Sequence, residues 1–254
     1  MTKTLGLIGA GMIGGSLARL AVGAGLDVVL SNSRGPESLA GLVAELGTRA
    51  RAATPAEAAE AGDLVVATIP LGAYRKLPAA ALAGKTVLDT MNYYPDRDGS
   101  IAELDAKVAT SSELVQRHLA DARVVKAFNN IDFHRLVTLA RVSGAEDRSA
   151  LPIAGDSVDA KGQAANLLDA LGYDAVDIGT LADSWRTEPE TPVYVKPYFP
   201  GEPSEGLSPE EAYRLFVETP GVMVPVDRVR GLTGSAVRGP AGGQFPGAAD
   251  SADG

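Results

Sequence analysis

Short apolar runs alternate along this chain with longer stretches whose apolar positions recur every three or four residues. Leu5 to Ile8 is the first run. It is followed by Gly9-Ala10-Gly11-Met12-Ile13-Gly14-Gly15 and then by Leu17, Leu20, Ala21 and Ala24 at helical spacing. Asp27 to Leu30 reads as a second strand, Ser31 to Pro36 as a polar loop, and Glu37 to Leu46 as a helix opening near the proline. Thr54-Pro55 opens a short helix, Asp63 to Thr68 is a buried strand, Tyr74 to Leu82 is helical, and Thr86 to Leu88 is a strand. Beyond Asn92 come a helix over Ser111 to Leu119, strands over Arg123 to Ala127 and Leu151 to Ala154, a helix over Ala160 to Leu171, and a strand over Ala175 to Ile178. Strands separated by helices predict one doubly wound, mostly parallel α/β sheet over residues 1–180.

From Leu181 the pattern changes. Pro, Glu and Tyr become frequent, Pro192 to Phe199 reads as extended, and helical spacing returns at Pro209 to Glu218 and at Val226 to Val237. Residues 181–238 are expected to form a small C-terminal cap. Gly239 to Gly254 is almost all Gly, Ala, Pro, Ser and Asp, a composition that buries too little to repay ordering, so disorder is expected there.

Composition narrows the chemistry. Hydrophobic residues make up 45% of the 254 and charged residues 22%, enough for an ordinary core. The net charge of −9, without a basic run, speaks against nucleic acid as a partner. Cysteine is absent, which removes disulfides, thiolate nucleophiles and cysteine metal sites, and with only two histidines, His118 and His134, no metal centre is expected. Glycines interrupt the first apolar run too early for a signal peptide, and no stretch reaches the roughly 18 apolar residues of a membrane span, so the expected location is the cytoplasm.

Gly9, Gly11 and Gly14 follow a predicted strand and open a predicted helix, which is the context a dinucleotide-binding turn requires. Gly9 permits the turn, Gly11 lets the backbone approach a pyrophosphate, and Gly14 lets helix and strand pack closely. The amides of Met12 and Ile13 lie at the helix start, where the dipole favours an anion. An acidic residue after the second strand would select NAD. The chain has Ser31, Asn32, Ser33 and Arg34 there instead, three neutral hydrogen-bonding groups and a guanidinium, which predict NADP(H).

Ligands of open α/β sheets lie beyond the carboxyl ends of the strands, so three further segments are candidates to line the nicotinamide site. In Thr68-Ile69-Pro70-Leu71, Ile69 and Pro70 offer an apolar wall for a flat ring. The others are Asp89 to Pro95, which includes Asn92, and Lys126 to Ile131. Lys126 reads as a general acid, a cofactor anchor or, the commoner case at a strand end, a plain surface lysine. His118 reads as complementing a helix dipole, and Thr110, Ser111 and Ser112 as a cap before Glu113. No acid–base pair is evident. Reduction of a carbonyl needs a proton delivered to oxygen, whereas hydride exchange between two heteroaromatic cofactors can draw its proton from solvent. The absence therefore favours a protein that holds two rings face to face.

The segments Gly9 to Gly14, Ser31-Asn32-Ser33-Arg34-Gly35-Pro36-Glu37, Asn92 to Gly99 and Lys126-Ala127-Phe128-Asn129-Asn130-Ile131 together resemble the NADPH-dependent coenzyme F-420 reductases, particularly their actinobacterial branch. The likeness spans roughly residues 4 to 200 and implies a Rossmann sheet. It also implies hydride transfer between carbon four of the nicotinamide and carbon five of an 8-hydroxy-5-deazaflavin. By position it implies Ser33 and Arg34 as 2′-phosphate binders, Ile69 and Pro70 as the nicotinamide-side turn, and Asn129 and Ile131 as the catalytic residues between the rings. Asn129 stands where archaeal relatives carry histidine, and Met91 where asparagine is expected. Arg97, Lys126 and Lys196 are candidate cations for the coenzyme's phosphate and glutamate tail. The extended cap offers a surface for a homodimer. Two alternatives stay open: an NADPH-dependent reductase of a small carbonyl or imine, which would need a proton donor such as Tyr93, Tyr94 or His134, and a non-catalytic NADP-binding redox sensor.

Overall fold

The computed structural model describes residues 3–201 and 208–244. In chain order its elements are β1 (Thr4–Ile8), α1 (Met12–Gly23), β2 (Asp27–Ser31), α2 (Ala40–Leu46), β3 (Ala50–Ala52), α3 (Pro55–Ala61), β4 (Leu64–Ala67), α4 (Ala79–Leu82), β5 (Thr86–Asp89), α5 (Pro95–Asp98), α6 (Ala102–Asp105) and α7 (Ser111–His118). They continue as β6 (Arg123–Lys126), α8 (Phe133–Thr138), β7 (Ala150–Gly155), α9 (Val158–Ala170), β8 (Asp174–Asp177), α10 (Pro209–Glu218) and α11 (Val226–Gly234). The strands form a sheet in the order β3-β2-β1-β4-β5-β6-β7-β8. Neighbours pair in parallel except β6 with β7. The doubly wound, mostly parallel sheet expected from the sequence is present.

Alternate residues of each strand feed opposite faces. Leu5, Leu7, Val28, Leu30, Leu64, Val66, Leu88 and Val125 enter one core with α1, α8 and α9, while Ile8, Val65, Ala67, Val87 and Val124 enter the other with α7. Both faces are covered, which is why the strands are continuous apolar runs without a polar side. Residues 181–238 share these cores: Val193, Tyr198, Val224 and Val229 lie in the first and Leu181 in the second.

Several local expectations change. The helix expected over residues 74–82 is a 3-10 turn, Leu71–Lys76, followed by the short α4, because Pro78 denies the next turn a donor. The helix expected from Glu37 begins as a 3-10 turn, Pro36–Leu39, before α2. Pro192 to Phe199 forms no strand and contains a 3-10 turn at Lys196–Tyr198. Strand β3 and helix α8 are additions. Of the tail expected to be disordered, residues 241–243 pack on the body, and residues 245–254 lie outside the described residues. Thr110 caps α7 as expected, its hydroxyl accepting from the Glu113 amide at 3.2 Å within a capping box.

The reversal at β7 has a geometric result. Only Val125 with Gly155 and Lys126 with Ala154 pair across it, so the carboxyl ends of β6 and β7 meet and β7 begins beyond the edge of the parallel sheet. Strand β8 runs beside β7 in the same direction, with Asp177 opposite Ile153. The chain therefore leaves β8 at the level of Lys126, and the following segment crosses the carboxyl ends of the strands.

Helix α3 lies directly on β1 because Gly6 has no side chain: a Cβ there would come within 2.3 Å of the Ala58 carbonyl oxygen. Gly6→Ala is expected to cost about 1–3 kcal/mol by pushing α3 off the sheet. Urea unfolding monitored by circular dichroism checks this, and an unchanged midpoint would show that α3 is free to slide.

Candidate functional site

The sheet's carboxyl edge is built by register. Ser31, Ile8, Ala67, Asp89 and Lys126 stand opposite one another across β2, β1, β4, β5 and β6. The residues that follow them therefore emerge side by side. Strand order reverses between β1 and β4, the switch point where open α/β sheets leave a crevice. Gly9 and the Thr68–Pro70 turn are the two lips of that crevice.

Gly9 has φ +108, and a Cβ there would lie 2.2 Å from the Thr68 carbonyl oxygen. A Cβ on Gly14 would lie 2.1 Å from the Gly9 carbonyl oxygen, so α1 can start against the turn only with glycine at this position. A Cβ on Gly11 would meet nothing within 4 Å. Gly11 is also the N-cap of α1, with no side-chain cap bond and no acid in the first turn. The turn thus presents free amides and the positive end of a twelve-residue helix, with Met12 exposed and Ile13 half-buried beside it. This is a fit for a pyrophosphate.

Beyond β2, Asn32 closes an Asx turn by accepting from the Arg34 amide at 2.9 Å, and its Nδ2 donates to Ser38 Oγ at 2.8 Å. The turn leaves Ser33 and Arg34 exposed, and Arg34 makes no ion pair among the described residues. Ser31 departs from expectation. It is fully buried and its hydroxyl donates to the Leu7 carbonyl at 2.9 Å, so it ties β2 to β1 instead of facing a ligand.

After β4, Ile69 is half-buried against the glycine turn and Pro70 is exposed. After β5, Asn92 and Asn129 lock together. Asn92 Nδ2 donates to the Asn129 carbonyl at 2.8 Å, and Asn129 Nδ2 donates to Asn92 Oδ1 at 3.0 Å and to the Thr187 carbonyl at 2.7 Å. Thr187 Oγ1 returns a bond to Asn129 Oδ1 at 3.1 Å. Asn129 is 4% exposed and Ile131 2%, so both are held by neighbours at the rim. Phe128 precedes them, buried at φ +59, a backbone conformation that bulky residues adopt only under constraint.

Lys126 is the clearest correction. Its side chain is 1% exposed, and Nζ donates to the Met91 carbonyl, to Ser111 Oγ at 3.2 Å and to Asp89 Oδ2 at 3.5 Å. Asp89 also accepts from the Met91 amide at 2.8 Å and from Ser112 Oγ at 2.7 Å. Glu188 reaches in from the segment after β8 and accepts from the Ser111 amide and hydroxyl at 3.1 and 2.5 Å, at the positive end of α7. The ammonium therefore fixes the Met91 peptide next to Asn92 and is not available as a surface anchor.

Asp98 was not singled out by sequence reasoning. It accepts from the Gly72 amide at 3.1 Å and the Tyr94 amide at 3.0 Å, and takes a forked bond from Arg97 at 2.9 and 2.8 Å. This joins the loop after β4 to the loop after β5. Arg97, one of the candidate cations, also donates to the Asn92 carbonyl at 2.9 Å, while Lys196 is exposed.

The would-be proton donors are committed. Tyr93 donates to Asp105 at 2.8 Å and accepts from the Ile101 amide, and His134 packs on Phe216. Tyr94 and Tyr194 share a hydrogen bond between their hydroxyls. Burial pushes both above the ordinary tyrosine range, for Tyr194 with a further push from Tyr94 itself.

A switch-point glycine turn under an uncapped helix, on a sheet of this order, defines a nucleotide-binding protein of the Rossmann type. Residues 4–93 match the family model described as NADP oxidoreductase, coenzyme F-420-dependent. The chain is 33% identical over 196 residues to the F-420-dependent NADP reductase of Methanothermobacter marburgensis, with 71% of this chain and 85% of that one aligned. It is 28% identical over 186 residues to the metalloreductase STEAP3 of Rattus norvegicus, with 72% of this chain aligned, and spans 35% of that protein's length. The solved structure of protein SMa0349 from Sinorhizobium meliloti is similar with a TM-score of 0.67 and 29% identity, covering 76% of this chain and 93% of that one. The chain belongs to the coenzyme F-420-dependent NADP oxidoreductase family. No helix among the described residues is long and apolar enough to cross a membrane.

Lys126→Met leaves Asp89 as a buried charge without its counter-ion, and is expected to cost about 3–5 kcal/mol of folding stability. A surface lysine would cost less than about 0.5 kcal/mol, so the urea midpoint separates the two readings.

Proposed function

We propose that the protein transfers a hydride between NADP(H) and the deazaflavin coenzyme F-420, from carbon four of one ring to carbon five of the other. The observation that carries this is the switch-point crevice itself. It joins an open anion cradle at Gly11 to an exposed Arg34 that makes no ion pair among the described residues, whose site segments also show no free acid–base pair.

In this reading the α1 amides from Met12 and Ile13 hold the pyrophosphate, and Ser33 and Arg34 hold the 2′-phosphate, with Asn32 shaping their loop. Ile69 and Pro70 form the apolar wall behind the nicotinamide. The Asn92–Asn129 pair and Ile131 set the distance and tilt at which the second ring meets it. Ser31 and Lys126 support this arrangement from within the protein. Residues 181–238 serve the second substrate, and cations such as Arg97 and Lys196 answer its acidic tail. Two copies pairing through the cap, where Tyr213, Val222 and Met223 are exposed, belong to the same reading, as does a cytoplasmic location.

A carbonyl or imine substrate would need a proton from the protein. Tyr94 gives its hydroxyl to a bond with Tyr194, and burial makes both weaker acids than free tyrosine, which favours an acceptor that takes its proton from solvent.

Mixing the protein with NADPH and oxidised coenzyme F-420 is expected to bleach the deazaflavin's visible band, and much more slowly with NADH. Binding of NADPH without bleaching would remove the deazaflavin as acceptor. Arg34→Gln is expected to weaken NADPH by about ten- to hundredfold, the loss of one charge-assisted phosphate contact, while leaving NADH unchanged. An unaltered preference would remove Arg34 from the phosphate site.

A further inference from the structure

The stretch after α11 is fastened at successive points to the loop that carries Asn92. Arg186 donates to the Thr233 carbonyl at 3.1 Å and lies 4.6 Å from the Trp185 ring, securing the end of α11. Arg238 then donates to the carbonyls of Lys107 and Ala109 at 3.1 and 2.7 Å, just ahead of α7. Ala241 packs against the core that holds Met91, Tyr93 and Leu181.

Two glycines make the last approach. Gly242 has φ +80, and a Cβ there would fall 2.8 Å from Pro95 Cδ and 3.0 Å from Tyr93 Cδ1. A Cβ on Gly243 would fall 2.6 Å from Pro189 Cβ, and its amide donates to the Tyr93 carbonyl at 3.4 Å. Gly239, in the same stretch, would meet nothing within 4 Å. A hollow of about 550 Å³, lined by Pro95, Asp96, Glu190 and Gln244, flanks these two glycines, so the contact is concentrated on them.

We infer that residues 241–243 are a positioning strap for hydride transfer. They clamp the Asn92–Asp98 loop between the body and the Pro189–Glu190 turn, and act on the reaction through that loop. Tyr93 is held from the tail side, its neighbour Asn92 is locked to Asn129, and Pro95 opens α5, whose Asp98 ties the loop to Gly72. Without the strap, the loop keeps its ties to Lys126 and Asp98 but loses the contact that presses Tyr93 and Pro95 inward. The effect should fall on ring alignment and spare the cradle, which lies across the crevice at α1. The catalytic part of this inference rests on the reading of the protein as a deazaflavin reductase; the mechanical part does not.

The test compares the full chain with Gly242→Ala, Gly243→Ala, Gly239→Ala and a chain ending after Arg238. Amide hydrogen exchange is measured over residues 94–99, together with NADPH affinity and the turnover of NADPH-driven coenzyme F-420 reduction. The shortened chain and the Gly242 and Gly243 variants are expected to exchange faster over 94–99 and to turn over about tenfold more slowly, with NADPH affinity held within about twofold. Gly239→Ala should match the full chain in all three. Unchanged exchange in the shortened chain overturns the strap, and so does slower turnover without faster exchange. If the full chain itself never reduces coenzyme F-420, the proposed function falls, and the exchange comparison alone decides whether the strap holds the loop.

Discussion

The protein is organised around a place where no side chain can fit. The Gly9 carbonyl and the start of α1 approach so closely that a methyl group on Gly14 would overlap the carbonyl oxygen, and Gly9 itself is pressed against Thr68. This sets how near the helix stands to β1 and β4, and so how far its amides reach over the switch point. Moving α1 outward by the width of a methyl would separate the dipole from the crevice and disturb its packing on α8, where Ser16 donates to the Phe133 carbonyl at 3.1 Å. The opposite lip, Ile69 and Pro70, takes its position from the same contact.

On the other side of the crevice the constraint is electrostatic. Asp89, Lys126 and Glu188 are at most 7% exposed, and their charges are tolerable because each group is bonded to a serine, a backbone group or an opposite charge. A network of this kind is a poor source of net stability but a strict specifier of geometry, since any other arrangement of the loops would leave a charge unpaired. Sterics position the dinucleotide half and electrostatics position the half facing it, and Asp98 couples the two through Gly72 and Tyr94.

The parts legible in the sequence are those whose cause is local. The strands are runs of apolar residues, and the glycine turn carries its reason in its spacing. The Thr110 cap is visible because its partner is three residues away. Strand β3 escaped notice because Ala50-Arg51-Ala52 lacks β-branched residues, and α8 because six residues are too few to show a period. Lys126 misled for another reason. A lysine at a strand end is ordinarily solvated, and the partners that hold this one inside are Asp89 and the Met91 carbonyl, more than thirty residues earlier in the chain, and Ser111. Family likeness singled out Asn129, but its tie to Thr187 could not be read from the sequence, because that residue reaches it only through the reversal at β7.

That reversal also orders events in time. The parallel sheet through β6 is built from the first half of the chain, and the rest joins it by the two residue pairs at Val125 and Lys126. As the polypeptide emerges during synthesis, the glycine turn and its flanking strands can therefore assemble before Thr187 and Glu188 have been made. Until those residues arrive, the Asn129 amide lacks its Thr187 partners, and Ser111, which accepts from Lys126, lacks Glu188. The nascent protein passes through a stage that resembles a nucleotide-binding module with one wall missing, and the closing wall comes from the second half of the chain.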